Sequence, residues 1–322
     1  MRAVVCRRYG TPEDLVVDEV ADPIPGPGQL LVRVHAAAVN FPDVLFIAGK
    51  YQVRIPPPFI PGNEVAGEVI AAGDGSSFSP GQRVSGTTFG AFAQQALVES
   101  GQAMLIPEDA DFASAAAFGV TYRTAYHALR SVAEVASGEW VIVLGAAGGV
   151  GLAAVDLAVA MKARVLAAAS SPEKLELCLQ RGAEATVDYD REDLKSRIRE
   201  LTGDAARVVL DPVGGSYSES ALRGLARGGT FITLGYAAGN IPSIPLNLVL
   251  LKGISIRGME IRTFMSDRPD EATRDNAELE QMFATGTVRP YIGARFPLSE
   301  TPAALRHVAD RKVLGKVVID IA

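Results

Sequence analysis

Three textures of hydrophobic and polar positions follow one another along the chain. Up to about residue 120 the apolar residues come in short, partly alternating runs such as LLVRVHAAAV (30–39) and VAGEVIAAG (65–73), broken by the turn clusters PIPGPGQ (23–29) and IPPPFIPG (55–62). Alternation with Pro and Gly punctuation predicts a compact, mostly antiparallel β unit. From about 140 to 237 short apolar runs take turns with helical stretches. WVIVLG (140–145), RVLAAAS (164–170), ATVDY (185–189), ARVVLDPVGG (206–215) and TFITLGYA (230–237) read as strands. VGLAAVDLAVAMKA (150–163), SPEKLELCLQRG (171–182), DREDLKSRIRELTG (190–203) and a stretch around 217–226 read as helices. Ser171 is the expected N-cap of its helix, with Pro172 at the first helical position and Gly182 closing it. Strand and helix in regular alternation imply crossover connections, hence a parallel sheet with helices on both faces. The last sixty residues return to mixed texture: a charged segment, RTFMSDRPDEATRDNAELEQMF, a final amphipathic helix and KVVIDIA (316–322). This tail is expected to fold back on the first unit and make it discontinuous. The expected division is 1–122 and 261–322 for the mostly-β domain and 123–260 for the α/β domain.

With 322 residues and 48% of them hydrophobic, the chain is long enough to bury two ordinary cores. A net charge of −6 with no basic stripe argues against a nucleic acid or an anionic membrane as partner. The two cysteines, Cys6 and Cys178, sit in apolar surroundings, fit a reduced compartment as core residues, and are too few for a multi-cysteine zinc cage. MRAVVCRRYG lacks the apolar centre of a signal peptide, and no uninterrupted apolar run has membrane-spanning length, so a cytoplasmic location is expected.

The strongest chemical motif is WVIVLGAAGGVGLAAVDLA. Set against G-x-G-x-x-G it gives Ala146-Ala147-Gly148-Gly149-Val150-Gly151, between a strand and a helix of a βαβ unit. Gly148 is expected to let the backbone approach a pyrophosphate, Gly151 to let helix and strand pack closely, and the helix N-terminus to offer free N–H groups. A carboxylate ending the second strand would hold the ribose of NAD. Here that strand ends AAASSPEK, with no acidic residue between Asp156 and Glu173. Ser170 and Ser171 can bond a 2′-phosphate and Lys174 can place a cation beside it, so NADPH is the expected cofactor.

AAVNFPDVLFIAGKY, FIPGNEVAGEV, VTYRTAYHAL, VLGAAGGVGLAAVDLA and DPVGG, in this order over the whole chain, resemble the medium-chain dehydrogenase/reductase superfamily. Within it they are most similar to the zinc-free NADPH:quinone oxidoreductase branch, typified by zeta-crystallin. The resemblance implies a Rossmann doubly wound domain and a discontinuous GroES-like catalytic domain. Zinc-dependent members hold their metal with Cys, His and Cys. At those places this chain has Asn40, Asn63 and Val120, with Glu64 following Asn63, and two amides and a valine are no zinc site. The four-cysteine structural lobe is absent as well, GTTFGAFAQQALVESGQ standing in that region, and His35, His127 and His307 fall on separate elements as structural residues. By similarity Asn40, Thr124, Gly235 and Tyr236 border the nicotinamide, and Gly148, Gly149 and Val150 hold the pyrophosphate. Tyr189 and Lys174 serve the adenosine end, and Arg311 reaches the 2′-phosphate side. Leu45, Tyr51, Asn63, Phe89, Met259 and Arg262 line the substrate cleft, Arg262 as a cation for an anionic acceptor such as an acyl-CoA. Tyr51 is the one catalytic candidate, and Asp43 and Glu64 are expected to serve the local hydrogen-bond frame. Without a Lewis acid, alcohol oxidation gives way to reduction of an electron-poor acceptor. The leading expectation is a quinone reductase. Its rivals are an enoyl or acrylyl reductase of activated C=C bonds and a non-catalytic, crystallin-like NADPH-binding protein. A homodimer joined through the edge of the nucleotide domain, using GISIRGMEI (253–261), is expected as well.

Overall fold

The structure is a computed structural model and describes residues 1–321. In the first segment of the chain the strands are β1 (Arg2–Val5), β2 (Val16–Glu19), β3 (Gln29–Val39), β4 (Glu64–Ala72), β5 (Arg83–Thr87), β6 (Gln95–Glu99) and β7 (Ala103–Leu105). The helices there are α1 (Phe41–Ile47) and α2 (Phe112–Ala116). The middle of the chain runs α3 (Gly119–His127), β8 (Trp140–Leu144), α4 (Gly149–Ala160), β9 (Arg164–Ala169), α5 (Pro172–Gln180), β10 (Ala185–Asp188), α6 (Leu194–Thr202), β11 (Ala206–Asp211), α7 (Ser216–Gly224) and β12 (Thr230–Thr233). It continues through α8 (Leu246–Lys252), β13 (Ser255–Gly258), α9 (Ile261–Asp267) and α10 (Pro269–Ala284). The chain closes with β14 (Ile292–Pro297), α11 (Thr301–Ala309) and β15 (Lys316–Asp320).

These elements form two units, Met1–Val120 with the segment from Arg289 onward, and Thr121–Val288. The first unit is built on a seven-stranded sheet, with the path β14-β15-β3-β4-β5-β7 and β6 also paired to β3. All its pairings are antiparallel except β14 with β15. Its core gathers alternate residues of these strands, Val32, Val34, Val65, Val84, Val98, Val317 and Ile319 among them, as the alternating pattern requires.

The second unit is a six-stranded, all-parallel sheet in the order β10-β9-β8-β11-β12-β13. Numbered from β8 this is 3-2-1-4-5-6, the order of dinucleotide-binding sheets, and it reverses between β8 and β11. The central strands are buried on both faces, with Val141–Leu144 and Val208–Leu210 at 0–1% exposure, which explains their unbroken apolar sequences. The helices expected from sequence are present, but α6 starts at Leu194 rather than 190 and α4 ends at Ala160 rather than 163. Ser171 caps α5 through the N–H of Lys174, Gly182 follows its end with φ +95°, and α6 runs from the Asp193 cap to left-handed Gly203.

One boundary differs from expectation. The chain returns to the first unit at Arg289, not at 261, because the charged segment is the long helix α10 and is anchored in the second unit. Its buried positions Ala272, Asp275, Leu279 and Phe283 form one face. Asp275, fully buried, accepts from the Nδ1–H of His127 (3.0 Å) and from the hydroxyl of Ser131 (2.6 Å), while Glu278 accepts from the Tyr126 hydroxyl (2.7 Å). A segment that reads as solvated in sequence is thereby tied down through its carboxylates, whose partners lie some 150 residues earlier in the chain.

Candidate functional site

At the point where the strand order reverses, β8 ends beside Gly145 and the chain turns into α4. The turn needs its glycines: Gly145 has φ +57°, and a Cβ on Gly151 would collide with the Gly145 carbonyl oxygen. Gly151 therefore lets the helix sit close on the strand. Gly148, the N-cap, offers no side-chain acceptor, so the first N–H groups of α4 at Gly149 and Val150 lack a capping side chain at the positive end of a twelve-residue helix.

The next strand, β9, delivers Ser170 and Ser171 to the start of α5. The Ser171 hydroxyl caps the helix, and the Lys174 ammonium lies 3.1 Å from the Ser170 hydroxyl. A cation and two hydroxyls thus share one helix N-terminus, a donor set for a phosphate monoester rather than for a ribose diol. Tyr189, just past β10, lies against Tyr217 with ring centroids 4.2 Å apart, giving an aromatic surface on the same side of the sheet order.

Past the reversal, β11 ends in Asp211 of the DPVGG turn. Its carboxylate is fully buried and accepts from the N–H groups of Val213 and Gly214, both at 2.8 Å, and from the Ser218 hydroxyl at 2.5 Å. Burial pushes its pKa up, and the three donors offset part of that. Gly214, at φ +74°, has the Tyr236 ring where a side chain would stand, so the turn presents Gly235 and Tyr236 at the end of β12. Thr124 is buried in α3.

In the first unit the residues at the metal-ligand places of zinc-dependent members form one hydrogen-bonded cluster. Asn40 caps α1 and its carboxamide is fixed on both sides: Oδ1 accepts from the Lys316 ammonium at 2.7 Å, and Nδ2 donates to Asn63 Oδ1 (3.0 Å) and Glu64 Oε2 (2.7 Å). Glu64 accepts again from Lys316 on Oε2 (3.1 Å) and from the Val120 N–H on Oε1 (2.5 Å). Asn40, Glu64 and Lys316 are 5%, 1% and 3% exposed, so this pair of opposite charges is sealed in the core, while Asn63 is half-buried. Asp43 completes the cap by accepting from the Asn40 N–H at 2.7 Å; its other oxygen is buried with no partner among the described residues. Burial pushes the Asp43 carboxyl up to about 7, against the pull of the Asn40 N–H and the nearby Lys316 charge. The expected structural role of Glu64 and Asp43 acquires definite partners here.

Lys316 is the residue that sequence reasoning missed. Its one signal is a lysine opening KVVIDIA, a strand buried along almost its whole length. β15 pairs with β3, with Val317 opposite Val39, and this register brings Lys316 beside Asn40.

Phe46, on α1, gathers two cleft candidates around it, Tyr51 at 4.4 Å and Phe89 at 5.4 Å between ring centroids, with Phe89 57% exposed. Leu45 precedes it on the same helix, half-buried. Arg311 lies in the turn after α11 at φ +59°, in the first unit. Met259 is buried, at 5% exposure. Arg262 is ion-paired with Glu260 at 3.1 Å, which compensates the charge expected to attract an anionic acceptor. Asn40, with both amide hydrogens committed, has only an acceptor lone pair left to offer, and the open amide donor of the pair belongs to Asn63. The three histidines have separate surroundings: His35 stacks on Phe112, His127 is bonded to Asp275, and His307 lies near Phe296. Cys178 is buried and its thiol is pushed up to about 12 by that burial. Among the described residues no three His, Cys, Asp or Glu side chains are grouped to hold a metal ion, and no helix is long and apolar enough to cross a membrane.

A 3-2-1-4-5-6 sheet with a glycine loop at its reversal point, together with a discontinuous, mostly antiparallel unit, defines a two-domain dehydrogenase or reductase. The family model described as alcohol dehydrogenase GroES-like domain matches residues 26–108, and that described as zinc-binding dehydrogenase matches residues 149–276. Quinone oxidoreductase-like protein 2 of Mus musculus is 37% identical, over 99% of this chain and 92% of its own length. The solved structure of the Escherichia coli quinone oxidoreductase, complexed with NADPH, superposes with a TM-score of 0.91 at 27% identity, over 99% of this chain and 100% of that one. The Thermus thermophilus quinone oxidoreductase, also solved in complex with NADPH, gives 0.85 at 34% identity, over 99% and 100%. The chain belongs to the medium-chain dehydrogenase/reductase superfamily, in its quinone oxidoreductase branch.

Proposed function

We propose that the chain reduces quinones with NADPH and uses no metal to do so. The observation that carries this is the donor set of the first unit. Where zinc-dependent members of the superfamily place thiolates and an imidazole, this chain places carboxamides backed by an ammonium. Amides and an ammonium stabilise negative charge developing on an oxygen, but they are not the Lewis acid that alcohol activation needs. A quinone asks only for the former. The NADPH complexes of the Escherichia coli and Thermus thermophilus relatives support the cofactor assignment.

The residues of the second unit fit that cofactor. The uncapped N–H groups at Gly149 and Val150, reached past Gly148, would take the pyrophosphate, and Ser170, Ser171 and Lys174 the 2′-phosphate. Tyr189 would lie along the adenosine, while Thr124, Gly235 and Tyr236 would border the nicotinamide. When bound, NADPH would supply a hydride, that is two electrons and one proton, and one further proton from solvent would complete the hydroquinone. The chain's own work is positioning and exclusion of water. Leu45, Tyr51 and Phe89 around Phe46 supply an apolar, aromatic face for a flat acceptor, the Tyr51 hydroxyl is the polar contact at its rim, and Asn63 donates to its oxygen. The pairing of Arg262 with Glu260 weighs against an acyl-CoA acceptor. β13 ends the parallel sheet with all four residues exposed, and Leu246, Leu250, Leu251 and Ile256 expose apolar surface on α8 and β13, so we assign a homodimer contact to this edge.

NADPH oxidation followed by its absorbance, with 1,4-benzoquinone, phenanthrenequinone, crotonyl-CoA and 2-haloacrylate as acceptors, tests the assignment. Quinone turnover with NADPH preferred over NADH is expected. Turnover of crotonyl-CoA or haloacrylate alone would make it an enoyl-type reductase, and tight NADPH binding with no turnover a binding protein.

A further inference from the structure

We propose that Lys316 is a positioning residue for catalysis, delivering its positive charge through Asn40 to the amide of Asn63, which then donates to the acceptor oxygen as negative charge develops there. The inference rests on the functional reading above for the identity of that oxygen, and on the hydrogen-bond chain for everything else.

The chain has one possible direction. Lys316 has only donors, so Asn40 must turn its carbonyl toward the ammonium and its NH2 away from it. Both hydrogens of that NH2 are then spent, one on Glu64 and one on the Asn63 carbonyl. Asn63 is thereby oriented too, with its oxygen toward Asn40 and its own NH2 pointing elsewhere. Each amide accepts on oxygen and donates from nitrogen, and an amide whose oxygen faces a cation is a stronger donor; in such a series the polarisation passes along, adding about 10–30% per bond. Glu64 closes the other side. Both its oxygens are occupied, by Asn40 and Lys316 and by the Val120 N–H, so it neutralises the buried ammonium without competing for Asn63.

A lysine buried to 3% exposure is costly to desolvate, and its pairing with Glu64 alone is weak reason to keep it. A structural clamp would end on satisfied groups. This one ends on the half-buried Asn63, whose Nδ2 meets no protein acceptor among the described residues. The reacting oxygen of a bound acceptor would complete the series, accepting from Asn63 most strongly once it carries negative charge, which is the condition for lowering a barrier rather than tightening ground-state binding.

The test compares Lys316→Met, Asn63→Ala and the double variant with wild type, using 1,4-benzoquinone and saturating NADPH. Each single change is expected to lower kcat at least tenfold with KM moved by less than about threefold, and the double variant to be no slower than Asn63→Ala. Losses that multiply in the double variant, or a Lys316→Met enzyme with wild-type kcat, overturn the proposal. Where Lys316→Met does not fold, Lys316→Gln, which keeps a donor and drops the charge, carries the comparison: a loss of threefold or more that vanishes on the Asn63→Ala background supports it, and equal losses on both backgrounds overturn it. If the wild-type chain reduces no quinone, the functional reading falls and the charge relay is decided without turnover. In 15N-labelled protein lacking cofactor, the Asn40 side-chain amide hydrogens are expected to exchange at least tenfold faster when Lys316 is replaced, with backbone amides of β3 and β4 unchanged; unaltered Asn40 exchange would overturn it.

Discussion

Lys174 and Asp43 are the residues whose replacement tests nucleotide choice and pH response. Lys174 stands at the start of α5 beside Ser170, where a phosphate gains from the cation and from the helix end together. Lys174→Ala is expected to weaken NADPH binding by about tenfold or more, as loss of a charge-assisted contact of about 1.5–3 kcal/mol implies, and to leave the NADH dissociation constant within about twofold. Fluorescence titration with both nucleotides reads this, and equal weakening of the two would remove Lys174 from the phosphate site. Asp43 is the pH-sensitive group of the first unit. Its folded-state pKa, about 7, lies above the value near 3.9 of an unfolded aspartate. The folded chain therefore holds the proton more tightly between these values. The stability this contributes is fully present below about pH 4 and is lost as the pH rises through 7. In Asp43→Asn that slope should vanish, so the variant gains on wild type between about pH 5 and pH 8 in urea-unfolding midpoints. Parallel profiles would mean that Asp43 stays ionised in the fold.

At the scale of elements, the turn after β11 shows how a motif of five residues is held in shape. Asp211 satisfies two backbone N–H groups and the first turn of α7 at once, and this keeps Gly214 in its left-handed conformation under the Tyr236 ring. Asp211→Ala strands three donors in a buried place and is expected to cost about 2–4 kcal/mol in chemical denaturation, with a weaker NADPH affinity as the turn relaxes. Asp211→Asn keeps one acceptor and should lose less than half as much. An alanine variant within about 0.5 kcal/mol of wild type, the range of ordinary surface substitutions, would show that the turn holds without this carboxylate. Much of this level was legible beforehand. The strand and helix order, the Ser171 cap and the Gly151 contact follow from local rules, in which a residue's role is set by neighbours a few positions away. The α10 segment was not legible, because its charged residues pair with Tyr126, His127 and Ser131 across long stretches of chain.

On the scale of the whole molecule, the exposed edge at β13 is a row of unpaired backbone groups beside exposed leucines, and a parallel sheet left open this way invites a second copy. If the proposed homodimer forms, Ile256→Arg together with Leu250→Glu is expected to make it a monomer, read by light scattering as a halving of mass with NADPH affinity retained. A monomeric wild-type protein would refute the homodimer. The sequence by itself determined the architecture and the phosphate loop, since hydrophobic period, turn residues and glycine spacing are properties of short stretches. It also determined that carboxamides stand where relatives bind zinc. Only the tertiary structure decided what those carboxamides are bonded to. Lys316 meets Asn40 through the pairing of β15 with β3, and the direction of every hydrogen bond from Lys316 to Asn63 follows from that one contact. Strand register between segments some 276 residues apart is a long-range packing outcome, and no local pattern carries it.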